Sequence, residues 1–221
     1  LTLTLTLTLT LTLTLMDAKA RSTADGATAD MYRAWLHQLQ ALCTECGIAL
    51  IFDEVYTGFG RTGDWFAFQH EAVRPDILVL GKGMSGGFPI SAAVGTAEAM
   101  DAWGASKGEA LHTQTFLGHP VGCAMALATI KLLEDIIPSI NQTSEWICGL
   151  LEERGYSVRG RGLMLGIELE NTLALSRALM RKGFIVLPAG EQAEVLGLTP
   201  PLTINDAQLV SFLDALDEVT Q

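Results

Sequence analysis

The sequence predicts an α/β fold: a partial large domain with a mostly parallel sheet, followed by a small α+β carboxyl-terminal domain. Three observations carry this. Residues 48–52 (IALIF) and 77–80 (ILVL) are short, unbroken apolar runs bounded by polar residues or glycine, the pattern of strands buried on both faces of a parallel sheet. Beyond Pro138 the apolar segments become shorter and alternate as helix, strand, helix, strands, helix, which suits a smaller α+β unit. With 221 residues, 49% of them hydrophobic, the chain can bury a real core as one large domain or two small ones.

The elements follow in order. Residues 1–15 alternate Leu and Thr without exception, a period of two that places all Leu on one face of a strand and all Thr on the other. It lacks the basic start and cleavage site of a signal peptide and the apolar length of a membrane helix. A translated simple repeat or truncation scar is expected, with Met16 near the true beginning. Such a segment is also aggregation-prone, being uncharged, β-forming and free of proline. Residues 17–30 are small and polar, so 1–30 is expected to be a low-complexity, disordered leader with order starting near Met31. Met31, Trp35, Leu39, Leu42 and Cys46 recur at helical spacing, and Gly47 supplies the stop before the strand at 48–52. A turn at 57–64, the strand at 77–80, a glycine-rich segment at 81–87, a strand at 90–96 and a helix at 97–103 complete the first pattern. Residues 112–120 (HTQTFLGHP) lead into a helix at 121–135. Pro138 is expected to break that helix, dividing a large domain (31–137) from a small one (138–221). The small domain then reads as helix 139–154, strand within 156–170, helix 173–182, strands 184–188 and 195–199, and a final helix from about Asp206.

Charge narrows the partners. The net charge of −11, with 25 acids against 14 bases and no basic cluster, argues against nucleic acid and against an anionic membrane surface. Small soluble ligands fit better. Cys43, Cys46, Cys123 and Cys148 mostly lie in helix-like apolar stretches, as reduced thiols of a cytoplasmic protein would. Cys43 and Cys46 form a CxxC spacing, but late in a helix and with no second pair, so a metal or redox role is not expected.

The chemistry lies just past two strands. Asp53 ends the run at 48–52, and Lys82 follows the run at 77–80 after one glycine. Open parallel sheets bind ligands beyond the carboxyl ends of their strands, so both side chains share one crevice if the two strands are neighbours. An amine and a carboxylate together suit an aldehyde cofactor, pyridoxal phosphate: the amine holds the aldehyde as an imine and the carboxylate keeps the pyridine nitrogen protonated. A lysine amine is nucleophilic only when neutral, so burial or a neighbouring positive charge is expected at Lys82. Once the substrate amine displaces it, the freed amine can carry protons as base and acid.

Longer runs agree with this. Asp53 to Gly63 (DEVYTGFGRTG), Pro75 to Lys82 (PDILVLGK), Gly86 to Ile90 (GGFPI), His112 to Pro120 and Arg159 to Glu168 (RGRGLMLGIE) together resemble the class III (ω-amino acid) aminotransferases of the fold-type I pyridoxal phosphate enzymes. The resemblance covers nearly everything from Met31 to Gln221. It implies Lys82 as the Schiff-base lysine, Asp53 as the pyridinium partner, Val55 packed on a ring face, Tyr56 as a donor near the ring hydroxyl, and Thr115 reaching the cofactor phosphate across a homodimer interface. It further implies transfer of an amino group from an amine or ω-amino acid to a 2-oxo acid, although epimerases and decarboxylating enzymes share these motifs. His119 stands where the family has Asn. Gly197 stands where members that recognise an α-carboxylate have an arginine, which grips carboxylates through paired hydrogen bonds that glycine cannot make. The family's amino-terminal half, with its phosphate loop, has no counterpart before Met31, so the chain resembles the carboxyl-terminal half.

Blander readings compete. Lys82 alone could be a surface lysine and Asp53 a turn former; Glu54 and Arg61 could brace the loop through ion pairs, and His70 and His112 could be structural. Gly81, Gly83 and Gly86 spell the dinucleotide fingerprint of an oxidoreductase, but that motif must open a helix and Pro89 favours extended chain. A noncatalytic remnant of the aminotransferase family is the third possibility.

Overall fold

The computed structural model describes residues 8–12, 26–102, 106–109 and 115–220. It divides into two compact units, one holding 30–59 and 64–135 with the strand at 8–12, the other holding 60–63 and 136–220. The first unit carries a four-stranded sheet of order β1 (Thr8–Thr12), β2 (Ala49–Asp53), β3 (Ile77–Leu80), β4 (Ala92–Gly95). The β1–β2 and β2–β3 pairings are parallel, and β3–β4 is antiparallel.

Helix α1 (Gly26–Cys46) starts five residues before the expected Met31. Its buried face also differs from the expected one. Leu36 and Cys43 are buried and Tyr32 and Leu39 pack beside them, against Leu50, Phe52 and Val73, whereas Met31, Trp35 and Leu42 are exposed. Both stripes have helical spacing and lie side by side on the helix, so periodicity alone could not choose between them. Gly47, at φ +64°, takes the left-handed turn that ends α1, and the Ile48 N–H donates back to the Cys43 carbonyl at 2.8 Å. In β2, Leu50 and Phe52 are 1% and 0% exposed, while Ala49, Ile51 and Asp53 are only half-buried. This strand is therefore fully covered on one face, not on both as its continuous apolar run suggested; among the described residues the core of α1 lies on that face alone.

The leader expected at 1–30 contains two ordered pieces, β1 and the first turn of α1; its other residues lie outside the described ones. After the short helix α2 (Ala97–Asp101), the chain forms one 34-residue helix, α3 (Pro120–Glu153), which passes through Pro138. The expected break does not occur. Proline removes one intrahelical hydrogen bond, but the buried positions Leu133, Ile137, Ile140, Ser144, Ile147 and Leu151 keep one helical phase on both sides of it, and burial of that stripe exceeds the roughly 3 kcal/mol that an internal proline costs. The division between units falls inside this helix, at 135/136.

The second unit is an antiparallel sheet of order β5 (Val158–Arg161), β6 (Met164–Glu168), β8 (Val195–Leu198), β7 (Leu187–Ala189). Helices α4 (Thr172–Arg181) and α5 (Asp206–Thr220) and the later part of α3 pack with it around Leu165, Ile167, Leu179, Leu196, Phe212 and Leu213. The strand expected within 156–170 is a hairpin, turned at Gly162 with φ +52°. A Cβ there would lie 2.5 Å from backbone atoms of Thr62 and Gly63, so only glycine lets this turn meet the segment 60–63.

Candidate active site

The parallel pairing of β2 and β3 sets Asp53 opposite Val79. The Glu54 N–H donates to the Val79 carbonyl at 2.9 Å, and the Val55 N–H donates to Asp53 Oδ1 at 3.0 Å, so the next residue but one in the chain holds the carboxylate. Beyond β3, Gly81 is extended and Lys82 turns to φ +39° as it opens a short 3₁₀ turn, Lys82–Ser85. A left-handed conformation at a residue other than glycine costs on the order of 1 kcal/mol and is frequent where a side chain is aimed for function. Gly81, Gly83 and Gly86 therefore open a four-residue 3₁₀ turn and not the α-helix whose N-terminus a dinucleotide pyrophosphate needs.

Lys82 Nζ stands 4.3 Å from the centroid of the Tyr56 ring, within cation–π range. Beneath it, the position a Cβ would take on Gly81 is 3.5 Å from Val55 Cγ1, an ordinary packing distance. One cluster of backbone and side chains thus gathers Lys82, Tyr56 and Val55, with Asp53 at the end of the adjacent strand. Tyr56 is 38% exposed and Lys82 is also exposed. The burial expected around the amine is not supplied by this chain's described residues. Thr115 is exposed in the turn before α3 and is not brought against this cluster; His112 lies outside the described residues.

The supports of the cluster are clearer in the structure than in the sequence. Glu54 is fully buried and accepts from the Thr57 hydroxyl, from the Ala67 N–H at 3.0 Å and from the Phe68 N–H at 2.9 Å. It ties the two ends of the loop that follows Asp53, through backbone donors in place of the anticipated ion pair. Burial raises its pKa above the usual glutamate range, against the three hydrogen bonds that lower it. Arg61 donates to the Leu163 carbonyl at 2.9 Å and to the Pro200 carbonyl at 2.7 Å. The signal for both was present in the sequence as an acid and a base inside a glycine-rich run, but Glu54 binds mainly backbone donors and the partners of Arg61 are distant in the chain. His70 pairs with Asp64 at 3.1 Å, a structural role.

Two of the departures acquire physical explanations. His119 precedes the first residue of α3, and its Nδ1 accepts from the Gly122 N–H at 3.4 Å while the ring tilts against Phe88 at 5.3 Å. An asparagine caps a helix in the same way, so the imidazole takes over a cap. Gly197 sits in β8, paired with Gly166 and Leu187, where a Cβ would lie 3.2 Å from the Leu187 carbonyl oxygen. A side chain there asks the Leu187 carbonyl to give by a few tenths of an ångström.

Among the described residues no cluster of His, Cys, Asp and Glu could hold a metal ion, and no helix is long and apolar enough to cross a membrane. None of the four cysteines is in a disulfide, and burial pushes Cys43 upward in pKa.

Comparison with known proteins places this geometry. The chain is 39% identical over 194 residues to the acetylornithine aminotransferase of Methanocaldococcus jannaschii, covering 84% of this chain and 47% of that protein. Its fold matches the acetylornithine aminotransferase of Elizabethkingia anophelis with a TM-score of 0.72 at 31% identity, covering 83% of this chain and 48% of the other. It also matches an amine transaminase from an uncultivated Pseudomonas species, in its PLP-bound form, with a TM-score of 0.71 at 29% identity, covering 85% and 47%. The chain therefore spans about half the length of the relatives it matches. Pyridoxal 5′-phosphate is the cofactor of these enzymes. With the class-III aminotransferase profile matching residues 24–220, nearly the whole of the described structure, the chain belongs to the class III aminotransferases of the fold-type I architecture.

Proposed function

We propose that Lys82 captures pyridoxal 5′-phosphate and that the chain takes part in moving an amino group from an amine or ω-amino acid to a 2-oxo acid. The observation that carries this is the pairing of β2 with β3, which brings Asp53 and the Lys82 turn to the carboxyl ends of neighbouring parallel strands. When bound, the cofactor supplies an aldehyde that the amine condenses with and a ring that accepts electrons. Asp53 would hold the proton on the ring nitrogen, its carboxylate already fixed by the Val55 N–H. Val55, packed under Gly81, would form the floor beneath the ring, and the Tyr56 hydroxyl would donate near the ring oxygen. Lys82, released by the substrate amine, would carry the proton between substrate and cofactor carbons.

Thr115 is exposed in its turn, so in this proposal it serves the phosphate of a second copy in a homodimer. Residue 197 offers no guanidinium, which supports a donor recognised through its amine more than through an α-carboxylate. Cysteines outside any disulfide fit a cytoplasmic setting. A second reading, a noncatalytic remnant, is favoured by the exposure of Lys82.

Titration of the purified chain with pyridoxal phosphate separates the two. A visible imine absorbance band that Lys82→Ala abolishes, and that Asp53→Asn weakens and shifts, supports capture at this site. Absence of a band in the parent chain supports the remnant.

A further inference from the structure

The strand that carries Asp53 has two edges, and its backbone shows which residues serve each. Leu50 and Glu54 turn toward β3: the Asp76 N–H donates to the Leu50 carbonyl at 2.8 Å, the Leu50 N–H donates to the Asp76 carboxylate at 2.8 Å, and the Glu54 N–H donates to the Val79 carbonyl at 2.9 Å. Alternate residues of a strand point opposite ways, so Ala49, Ile51 and Asp53 present their N–H and C=O groups at the other edge. There β1 pairs in parallel, in register from Thr8 opposite Ala49 to Thr12 opposite Asp53. Left open, that edge would be a mostly apolar strand, charged only at Asp53, of the kind that pairs with other chains.

The occupant has an unusual property. The sequence TLTLT occurs at 2–6, 4–8, 6–10, 8–12 and 10–14. A one-residue slip of a strand exchanges its two faces, but a two-residue slip restores them. For this repeat a two-residue slip also restores the sequence, so several registers present β2 with the same partner.

We propose that the outer edge of β2 is a strand-acceptor site for an alternating Leu/Thr strand, filled by the chain's own repeat in interchangeable registers two residues apart, and that this strand fixes the backbone at Asp53. Main-chain hydrogen bonds supply the attraction, and the alternation supplies the selectivity, as in other cases of strand addition. The site stands independently of any cofactor.

Hydrogen exchange followed residue by residue tests it. In the full chain the Ile51 and Asp53 amides exchange slowly. Replacing residues 1–15 by a Gly-Ser segment of equal length speeds both at least tenfold while Leu50 and Glu54, bonded toward β3, keep their rates, and a Lys-flanked Thr-Leu-Thr-Leu-Thr peptide added in trans restores protection. Replacing the single pair Thr8-Leu9 by Gly-Ser leaves the parent pattern unchanged, because an intact copy of the repeat at 2–6 or 10–14 takes its place. Fast exchange of Ile51 and Asp53 in the full chain overturns the proposal even if the replaced chain does not fold. Equal rates with and without the repeat overturn it as well, and loss of protection on replacing Thr8-Leu9 by Gly-Ser overturns the interchangeable registers.

Discussion

The carboxyl-terminal unit gathers strands and helices around one large buried core, and in the amino-terminal unit the core of α1 lies under one face of β2. In the former, Ile147, Leu151, Ile167, Leu179, Leu196, Leu213 and Leu216 are at most 1% exposed, and both strands and helices contribute to one core. In the latter, only one face of β2 is fully covered, and the residues proposed for chemistry, Lys82 and Tyr56, lie exposed. The lesson is that the largest buried core and the turn proposed to hold the cofactor lie in different units, and the described residues around that turn leave Lys82 and Tyr56 exposed.

The comparison breaks most readily in the carboxyl-terminal unit. Leu213→Ala removes a fully buried side chain and is expected to cost about 3–5 kcal/mol in urea unfolding of the chain; a loss below about 1 kcal/mol would mean that this core is not closed. In the amino-terminal unit, Glu54→Ala strands the Thr57 hydroxyl and the Ala67 and Phe68 N–H groups, for an expected loss of about 2–4 kcal/mol. The raised pKa of Glu54 means that the folded chain holds this proton more tightly than the unfolded one. The resulting stability is complete below the ordinary glutamate range and is lost as pH rises through the raised value. Stability measured from pH 4 to 7 should therefore fall more steeply for the parent than for Glu54→Gln, even though the glutamine is less stable at each pH because its amide cannot accept all three donors.

Smaller effects sharpen the picture of α1 and α3. Leu36→Ala should cost about 2–4 kcal/mol and Trp35→Ala less than about 1 kcal/mol, since Leu36 is buried and Trp35 is 45% exposed; equal losses would return the helix to the face read from the sequence. His119→Ala should cost about 1 kcal/mol by removing the cap on Gly122, and His119→Asn should recover most of it, both read as changes in thermal midpoint.

The strands that frame the proposed site were legible in the sequence because they rest on local pattern. The apolar runs gave β2 and β3 nearly to the residue, and glycine after ILVL marked the turn that presents Lys82. What escaped depends on contacts far apart in the chain or on choices that spacing leaves open. The buried face of α1 was one such choice, settled by Leu50, Phe52 and Val73. Pro138 looked like a stop because a proline is locally unfavourable in a helix, yet the stripe from Leu133 to Leu151 keeps its phase across it. The brace at Glu54 and the cap at His119 use backbone donors, which leave no trace in composition. The strand at Thr8–Thr12 looked like noise because low complexity conceals pairing, and only its register with β2 reveals a partner.

The most direct test is to reduce the chain with borohydride after incubation with pyridoxal phosphate, digest it and locate the added mass. The geometry predicts one major adduct, on the peptide containing Lys82, diminished in Asp53→Asn. An adduct spread over the surface lysines, with Lys82 no more labelled than Lys131 or Lys182, would contradict the assignment of this turn as the cofactor site.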